Sequence, residues 1–415
     1  MDLTVALDAR YAVAPDGSAW SQAGMARRFW ERYLEVFDSV RVIARAVPVG
    51  RVPEGWLPVN GGNVFFHGVP NYCGPWEYMK QYRRVRSAIS CALPPQGAVI
   101  LRVGSQIANC LERMLHRKGR PYALEVLGDP YEVFAPGVVD HPLRRLFRWH
   151  FGRQLRKQCL RACGVAYVTR TALQRRYPAG AMSSSVSDVD LPDEAVLGGM
   201  TYTHYSSIEL DLAGIADTVR KPKRQGTYRI VTVGSLAQLY KGTDVLIEAV
   251  AHCVRAGLDV TALVVGDGKY RQSLMGLADR LGVGSRIEFA GQVTGGAPVR
   301  LILDTGDLFV LPSRTEGLPR AMIEAMARAL PCIGSSVGGI PELLDAEDLV
   351  MPGDAQGLAT KIQEVLKDPH RMQSMSRRNR ETSMQYRDSV LAERRRRFYT
   401  HVRDCVNDWE SRRVK

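Results

Sequence analysis

The chain has 415 residues, 45% hydrophobic and 24% charged, with 56 Lys and Arg against 43 Asp and Glu for a net charge of +13. That length exceeds one ordinary core and predicts two domains, and the composition is that of a folded protein. No run approaches the roughly 18 apolar residues of a membrane span, and the eight cysteines form no C-x-x-C pair and no metal-ligand spacing with histidine.

Residues 1–10 alternate like a strand and carry no basic n-region or cleavage site, so no signal peptide is expected. With the cysteine pattern, this predicts a reduced, cytoplasmic setting. The positive charge admits three partners: nucleic acid, an anionic membrane or a phosphorylated substrate. No nucleic-acid motif or aromatic-interleaved basic platform occurs, which sets nucleic acid aside.

The first strand is predicted at Leu3–Leu7, followed by a loop and a helix from about Ala23 to Phe37 with Gly24 at its start. Strands follow at Val40–Ala44, Val64–Phe66, Ala98–Arg102, Ala123–Leu127 and Val165–Val168. Between them lie helices at Trp76–Cys91, Ser105–Arg117, Pro142–Ala162 and Ala172–Arg176. Such alternation makes a doubly wound parallel sheet, whose ligands sit beyond the carboxyl ends of the strands. Two strand ends stand out: Arg102-Val-Gly-Ser105, and Gly128-Asp129-Pro130, where the Asp-Pro dipeptide also suits a plain turn.

Residues 141–161 are basic on every exposed turn, contain no acid and interleave Leu143, Leu146, Phe147, Trp149, Phe151 and Leu155. A basic amphipathic helix with aromatics can lie on an anionic bilayer, and a crossover helix must also cover its sheet. Asp188-Val189-Asp190 spells D-x-D within a serine-rich stretch and reads as a polar loop. Residues 211–226 are polar and aperiodic, and form the candidate linker.

A fresh alternation begins near Tyr228. Strands are predicted at Ile230–Val233, Val260–Val265, Ile287–Phe289, Leu308–Leu311 and Cys332–Ser335, and helices at Thr243–Arg255, Tyr270–Leu281, Pro298–Asp304, Arg320–Ala329 and Ala355–Leu366. Gly266-Asp-Gly268 lacks the third glycine of a dinucleotide fingerprint and reads as a turn. Beyond Leu366 the chain is helical and charged, with Phe398, Tyr399, Val402, Val406 and Trp409 on one face.

The most informative stretch is Leu311–Glu324. It leaves a strand, turns at Pro312-Ser313 and enters a helix near Pro319, whose fixed φ and missing N–H suit a helix start. Amides of Gly317 and Leu318 would then point outward beside a positive dipole end, an anion site. Glu316 precedes it and Glu324 lies inside the helix. A carboxylate beside an anion site is costly unless it holds something such as sugar hydroxyls, so the pair suits a nucleotide sugar. Lys241, beside Gly242 at another helix start, supplies a point charge for phosphate.

These residues, with Val233-Gly-Ser-Leu236, Lys241-Gly242, Val265-Gly-Asp-Gly268, Phe289-Ala-Gly291, Glu324-Ala-Met326 and Gly338-Gly-Ile-Pro-Glu342, resemble family-four retaining glycosyltransferases of the GT-B fold. The resemblance runs in order from Tyr228 to Leu366. It implies two Rossmann-like domains facing across a cleft, 1–215 on the acceptor side and 222–387 binding the donor, with 388–415 crossing back to the first. It implies donor contacts from Gly234, Ser235, Lys241, Gly266, Arg314, Glu316, Gly317, Leu318 and Glu324. Glu316, Lys241 and Asp129 would serve the reaction, and Gly24, Arg102 and Asp129 the acceptor side. The family frequently has an arginine at the position of Ser235 and a Gly-Gly pair where only Gly24 stands. Arg314 or Arg170 could replace the missing cation.

The activity implied is retaining transfer of a sugar from a nucleoside diphosphate, UDP more than GDP, without metal or other cofactor. The acceptor implied is a glycan or an undecaprenyl-diphosphate-linked sugar in exopolysaccharide assembly, and it could equally be a soluble small molecule; the charge of 141–161 would suit the inner face of the membrane. Two other readings share the motifs: a nucleotide-sugar epimerase or sugar phosphorylase on the same scaffold, and a catalytically silent nucleotide-sugar-binding subunit.

Overall fold

The computed structural model describes residues 1–22, 24–135, 138, 141–180, 195–197, 200–223 and 225–414. The chain divides into two units: one of residues 1–128, 150–205 and 392–415, the other of 129–149 and 206–391. The D-x-D at Asp188 and Asp190, and the expected helix start at Ala23, lie outside the described residues.

The first unit is built on a sheet of strands β1 (Asp2–Val13), β2 (Ala19–Ser21), β3 (Ser39–Pro48), β4 (Leu57–Pro58), β5 (Val64–Pro70), β6 (Ala98–Val103), β7 (Ala123–Val126), β8 (Gly164–Tyr167), β9 (Ala195–Leu197) and β10 (Met200–His204). Its parallel body runs β5-β3-β1-β6-β7-β8-β10, while β2, β4 and β9 add antiparallel pairs. The strands β6, β7 and β8 are buried at every residue, which is why they read as unbroken apolar runs. Strand β1 is longer than Leu3–Leu7 because a register shift between Ala6 and Arg10 lets it continue to Val13. Inside that irregular stretch, Asp8 accepts from the Tyr72 hydroxyl and the Gln106 amide and pairs with Arg45 at 2.7 Å.

The helix expected over Ala23–Phe37 is shorter. An α-turn covers Arg27–Glu31 and a 3₁₀ turn Arg32–Glu35. Gly24 has φ +81, a left-handed backbone that lies outside any helix, so it does not open one.

A buried polar cluster ties the first unit together. Glu125, on β7, accepts from the hydroxyls of Tyr33 at 2.9 Å, Tyr205 at 2.9 Å and Tyr399 at 3.3 Å, and pairs with Arg102. Burial, with Glu125 beside it, pushes the Tyr33 phenol up to about 12, so it stays protonated and donates. Tyr399 comes from the helix Asp388–Val414, whose residues from Ala392 onward belong to this unit.

The second unit is a six-stranded parallel sheet in the order β13-β12-β11-β14-β15-β16, with β11 Tyr228–Val233, β12 Val260–Val265, β13 Ile287–Gly291, β14 Leu308–Leu311, β15 Cys332–Ser335 and β16 Leu349–Val350. This is the Rossmann order, and it reverses between β11 and β14, the switch point where ligands bind such sheets. The helices Thr243–Arg255 and Ala355–Leu366 pack Leu246, Val250, Leu358 and Ile362 into its core.

The expected linker at 211–226 is not free over its described residues 211–223. Arg220 donates to the carbonyls of Leu303, Gly306 and Arg328, and Ser376 accepts from its amide, so the segment lies against the second unit. A guanidinium with five donors gathers exposed carbonyls that a polar, aperiodic sequence does not reveal.

Candidate functional site

Two loops leave the switch point of the second unit. Residues 234–242 follow β11, and residues 312–319 follow β14. In the second, the helix Arg320–Ala327 begins after Pro319, which sits just outside it with φ −74 and ψ 106. Pro319 thus fixes the entry of the chain rather than filling the first helical turn. The amides of Gly317 and Leu318, directly ahead of the helix, have no acceptor among the described residues. Two unsatisfied N–H groups beside a helix N-terminus favour an anion.

Lys241 and Glu316 meet here, with Lys241 Nζ 2.6 Å from Glu316 Oε1. Ser313 Oγ donates to the same oxygen at 2.8 Å, and the Tyr240 ring centre lies 5.3 Å from the ammonium. Glu316 is thereby held by one cation and one hydroxyl, leaving its second oxygen for other donors.

The close approach of the two loops depends on glycine. Gly242 has φ +70, and a Cβ there would stand 1.9 Å from the Pro312 carbonyl oxygen. Gly338 has φ +53, and a Cβ there would stand 2.0 Å from the Glu316 carbonyl oxygen. Next to it the Gly339 amide donates to the Gly317 carbonyl at 2.7 Å, so the turn after β15 clamps the loop of Glu316, Gly317 and Leu318 from behind. At Gly234 a Cβ would press within 3.0 Å of Lys241 Cγ, so the missing side chain gives the lysine stem its path. Gly266 bridges to Gly291 and lies against Gly234, supporting the loop from behind.

Glu324 is half-buried inside the helix. Burial raises its pKa, and Arg320 and Arg300 only partly oppose that. A carboxylate stripped of water in this way is poised to accept hydroxyl donors.

Four of the expected contact residues have other partners in the fold. Arg314 is committed: its guanidinium grips Asp244 through two bonds of 2.8 and 2.7 Å and also donates to the Leu239 carbonyl. It fixes the turn that carries Lys241 and does not stand in for the cation missing at Ser235. Ser235 instead caps its own turn, accepting from the Ala237 amide at 3.2 Å. Arg102 is buried against Glu125 and Tyr33, so it braces the first unit and lines no open face. Asp129 is nearly buried and accepts from the Tyr131 amide at 2.9 Å, capping the short turn Pro130–Val133. That is the turn the Asp-Pro dipeptide suggested.

Sequence reading gave no role to Ser313, Asp244 or Gly338. Gly338 was visible in the Gly338-Gly-Ile-Pro-Glu342 run, but its partner, the Glu316 carbonyl, is distant in sequence. Among the described residues, no three His, Cys, Asp or Glu side chains group as a metal cage.

A Rossmann-order sheet in the second unit and a doubly wound sheet in the first are the two halves of a GT-B fold. Residues 227–368 match the model of the glycosyl transferases group 1 family. The chain is 23% identical to Protein CapJ of Staphylococcus aureus, over 93% of this chain and 92% of that one. It is 34% identical to a putative colanic acid biosynthesis glycosyltransferase, WcaL, of Salmonella typhimurium, over 31% of this chain and only 34% of that protein. The fold is similar to that of Anabaena HepE crystallised with UDP, at a TM-score of 0.61 and 18% identity, covering 95% of this chain and 97% of that one.

Proposed function

We propose that this protein is a retaining glycosyltransferase that moves a sugar from a nucleoside diphosphate, UDP before GDP, to a hydroxyl of a lipid-linked or growing surface glycan. The observation that carries this is the pairing of Lys241 with Glu316 at 2.6 Å, beside the open amides of Gly317 and Leu318. In this reading Lys241 and the two amides hold the diphosphate and stabilise the negative charge that grows there as the sugar leaves, usually the largest catalytic term available. Glu324 takes the ribose hydroxyls. Glu316, released from Lys241 by the phosphate, positions the transferred sugar. Fixed cations and the helix end do the work of a metal, so no cofactor is required. The acceptor attacks the face that the leaving phosphate vacates, and that phosphate takes the acceptor proton.

The base preference rests on HepE, crystallised with UDP, and the glycan acceptor on WcaL, a putative colanic acid biosynthesis glycosyltransferase. The decisive experiment incubates the protein with radiolabelled UDP- and GDP-sugars and a bacterial lipid extract, with and without chelator. Label should pass from a UDP-sugar into lipid, unaffected by chelation, with the anomeric configuration kept. Isomerisation of donor without acceptor would instead indicate an epimerase, and an absolute Mn²⁺ requirement would overturn the metal-free scheme.

We also propose that the helix Arg144–Arg161 rests on an anionic membrane surface. Leu146, Trp149 and Leu160 are 52%, 59% and 38% exposed along one stripe with exposed Arg153, Arg156 and Lys157. Among the described residues no helix is long and apolar enough to cross a membrane.

A further inference from the structure

The run of four arginines at 394–397 reads as one solvated face, yet the fold treats its members differently. Arg396 and Arg397 are exposed, whereas Arg395 is 9% exposed. Among the described residues the Arg395 guanidinium has no acceptor, and its Nη1 is buried. Arg32, in the 3₁₀ turn Arg32–Glu35, is a second case. Its Nε donates to the Phe29 carbonyl at 2.7 Å, but its buried Nη2 meets no acceptor among the described residues. Arg102 is a third, since Nη1 serves Glu125 and Tyr33 while its buried Nε is unmet.

Distances place these groups together. The guanidinium carbons of Arg32 and Arg102 lie 3.3 and 4.9 Å from the centre of one ring, that of Phe29. Tyr33, the neighbour of Arg32, accepts from Arg102 at 3.1 Å and packs on Tyr399 with ring centres 4.7 Å apart. Arg395 lies one turn before Tyr399 on the helix Asp388–Val414, on the same face. All of these residues belong to the first unit. Burial lowers the Arg32 pKa, and the like charges of Arg102 and Arg395 add to the fall while Tyr399 and Tyr33 oppose it. Arg102 is balanced by Glu125, but among the described residues Arg32 and Arg395 pair with no acid. An enclosed cation without a partner is costly, and the guanidinium fork matches the oxygens of a phosphate.

We propose that Arg32 and Arg395 hold a small tetrahedral dianion, phosphate or sulfate, inside the first unit, tying the turn Arg32–Glu35 to the C-terminal helix. Two guanidinium groups balance the two charges of the ion. Arg32 Nη2 and Arg395 Nη1 gain the acceptors that the protein does not supply. Arg102 stands behind them as a fixed charge, held by Glu125. Arg32 is half-buried, so the ion enters from its side. None of these residues belongs to the proposed donor site of Lys241, Glu316 and Glu324.

The test follows the thermal midpoint of the full chain at pH 8 as inorganic phosphate, sulfate or chloride is added at constant ionic strength. The parent should melt higher in phosphate and sulfate, with a rise that saturates as binding does and general salting effects do not. Lys241→Met should keep that rise, which separates it from an anion bound at the donor loop. Arg32→Met and Arg395→Met should need roughly 10-fold more phosphate, or beyond, to reach half of it, since each removes a charge-assisted hydrogen bond. In chloride alone Arg395→Met should melt no lower than the parent, because the charge it removes has no partner. Arg395→Lys, which keeps the charge without the fork, should recover part of the phosphate response. The proposal is overturned by a parent that responds to phosphate no more than to chloride, or by a saturable rise lost in Lys241→Met. It is equally overturned if Arg395→Met melts below the parent by the same amount in every salt, the mark of a merely structural arginine.

Discussion

Glu324 combines a proposed site role with a cost to the fold. Its folded pKa is raised by burial, so its contribution to stability is full below the unfolded pKa and is lost as pH rises through the folded one. At neutral pH the ionised form is therefore a burden that a bound ribose would relieve. Glu324→Gln should unfold at least as high as the parent at pH 7, with the difference vanishing as pH falls below the carboxylate range. The same variant should bind UDP about 10- to 150-fold more weakly, since a hydrogen bond to a charged group contributes roughly 1.5–3 kcal/mol. Calorimetric titration and thermal unfolding on one preparation separate the two effects, and unchanged UDP affinity would remove the ribose role. Gly242 is the complementary case, a residue with no chemistry whose absence of a side chain lets the two loops meet. Gly242→Ala places a methyl 1.9 Å from the Pro312 oxygen at φ +70. It should cost more than about 3 kcal/mol in urea unfolding, above the usual range for a single substitution.

Among the elements, the helix Arg144–Arg161 shows how exposure refines a sequence pattern. Arg148 is engaged: it donates to the Tyr131 carbonyl at 2.9 Å and its guanidinium lies 3.6 Å from the centre of that ring. Arg145, Arg153 and Arg156 are exposed, and they are the cations that a bilayer would meet. Replacing those three with glutamine should weaken binding to anionic vesicles by about 3 kcal/mol, at roughly 1 kcal/mol per charge, or some 100-fold. Raised salt should mimic the change in the parent. The unfolding midpoint should hardly move, because exposed charges contribute little to stability. Co-sedimentation with vesicles reads the first effect, and unchanged sedimentation would return the helix to covering its sheet.

Across the whole molecule, the first unit is closed by contributions from opposite ends of the chain. Tyr33, Arg102, Glu125, Tyr205 and Tyr399 converge from segments that only the fold brings together. Removing one partner of a buried ion pair leaves an uncompensated charge, typically at a cost of about 3–5 kcal/mol. Arg102→Met should show that loss in urea unfolding, and adding Glu125→Gln should recover a substantial part. Tyr399→Phe should cost only about 1 kcal/mol, because Glu125 keeps its other partners. A stable Arg102→Met with impaired transfer would instead make Arg102 an acceptor residue.

The sequence by itself determined the repeating strands and helices of the second unit. Val260–Val265, Leu308–Leu311 and Cys332–Ser335 are where their apolar runs put them, because strands covered on both faces must be apolar throughout. It also located the loop ahead of the helix Arg320–Ala327, since proline and glycine before a helix carry local backbone information. Strands as short as Ala19–Ser21 and Leu57–Pro58 left no period to read. The destinations of charged side chains were equally hidden. Arg102, Arg314 and Arg220 look alike as letters, yet one is buried on a glutamate, one grips Asp244 and one gathers carbonyls. Those partners lie 23, 70 and 108 residues away. Local propensity fixes where an element starts and stops, while the partner of a long polar side chain depends on which distant backbone the folded chain brings within its reach.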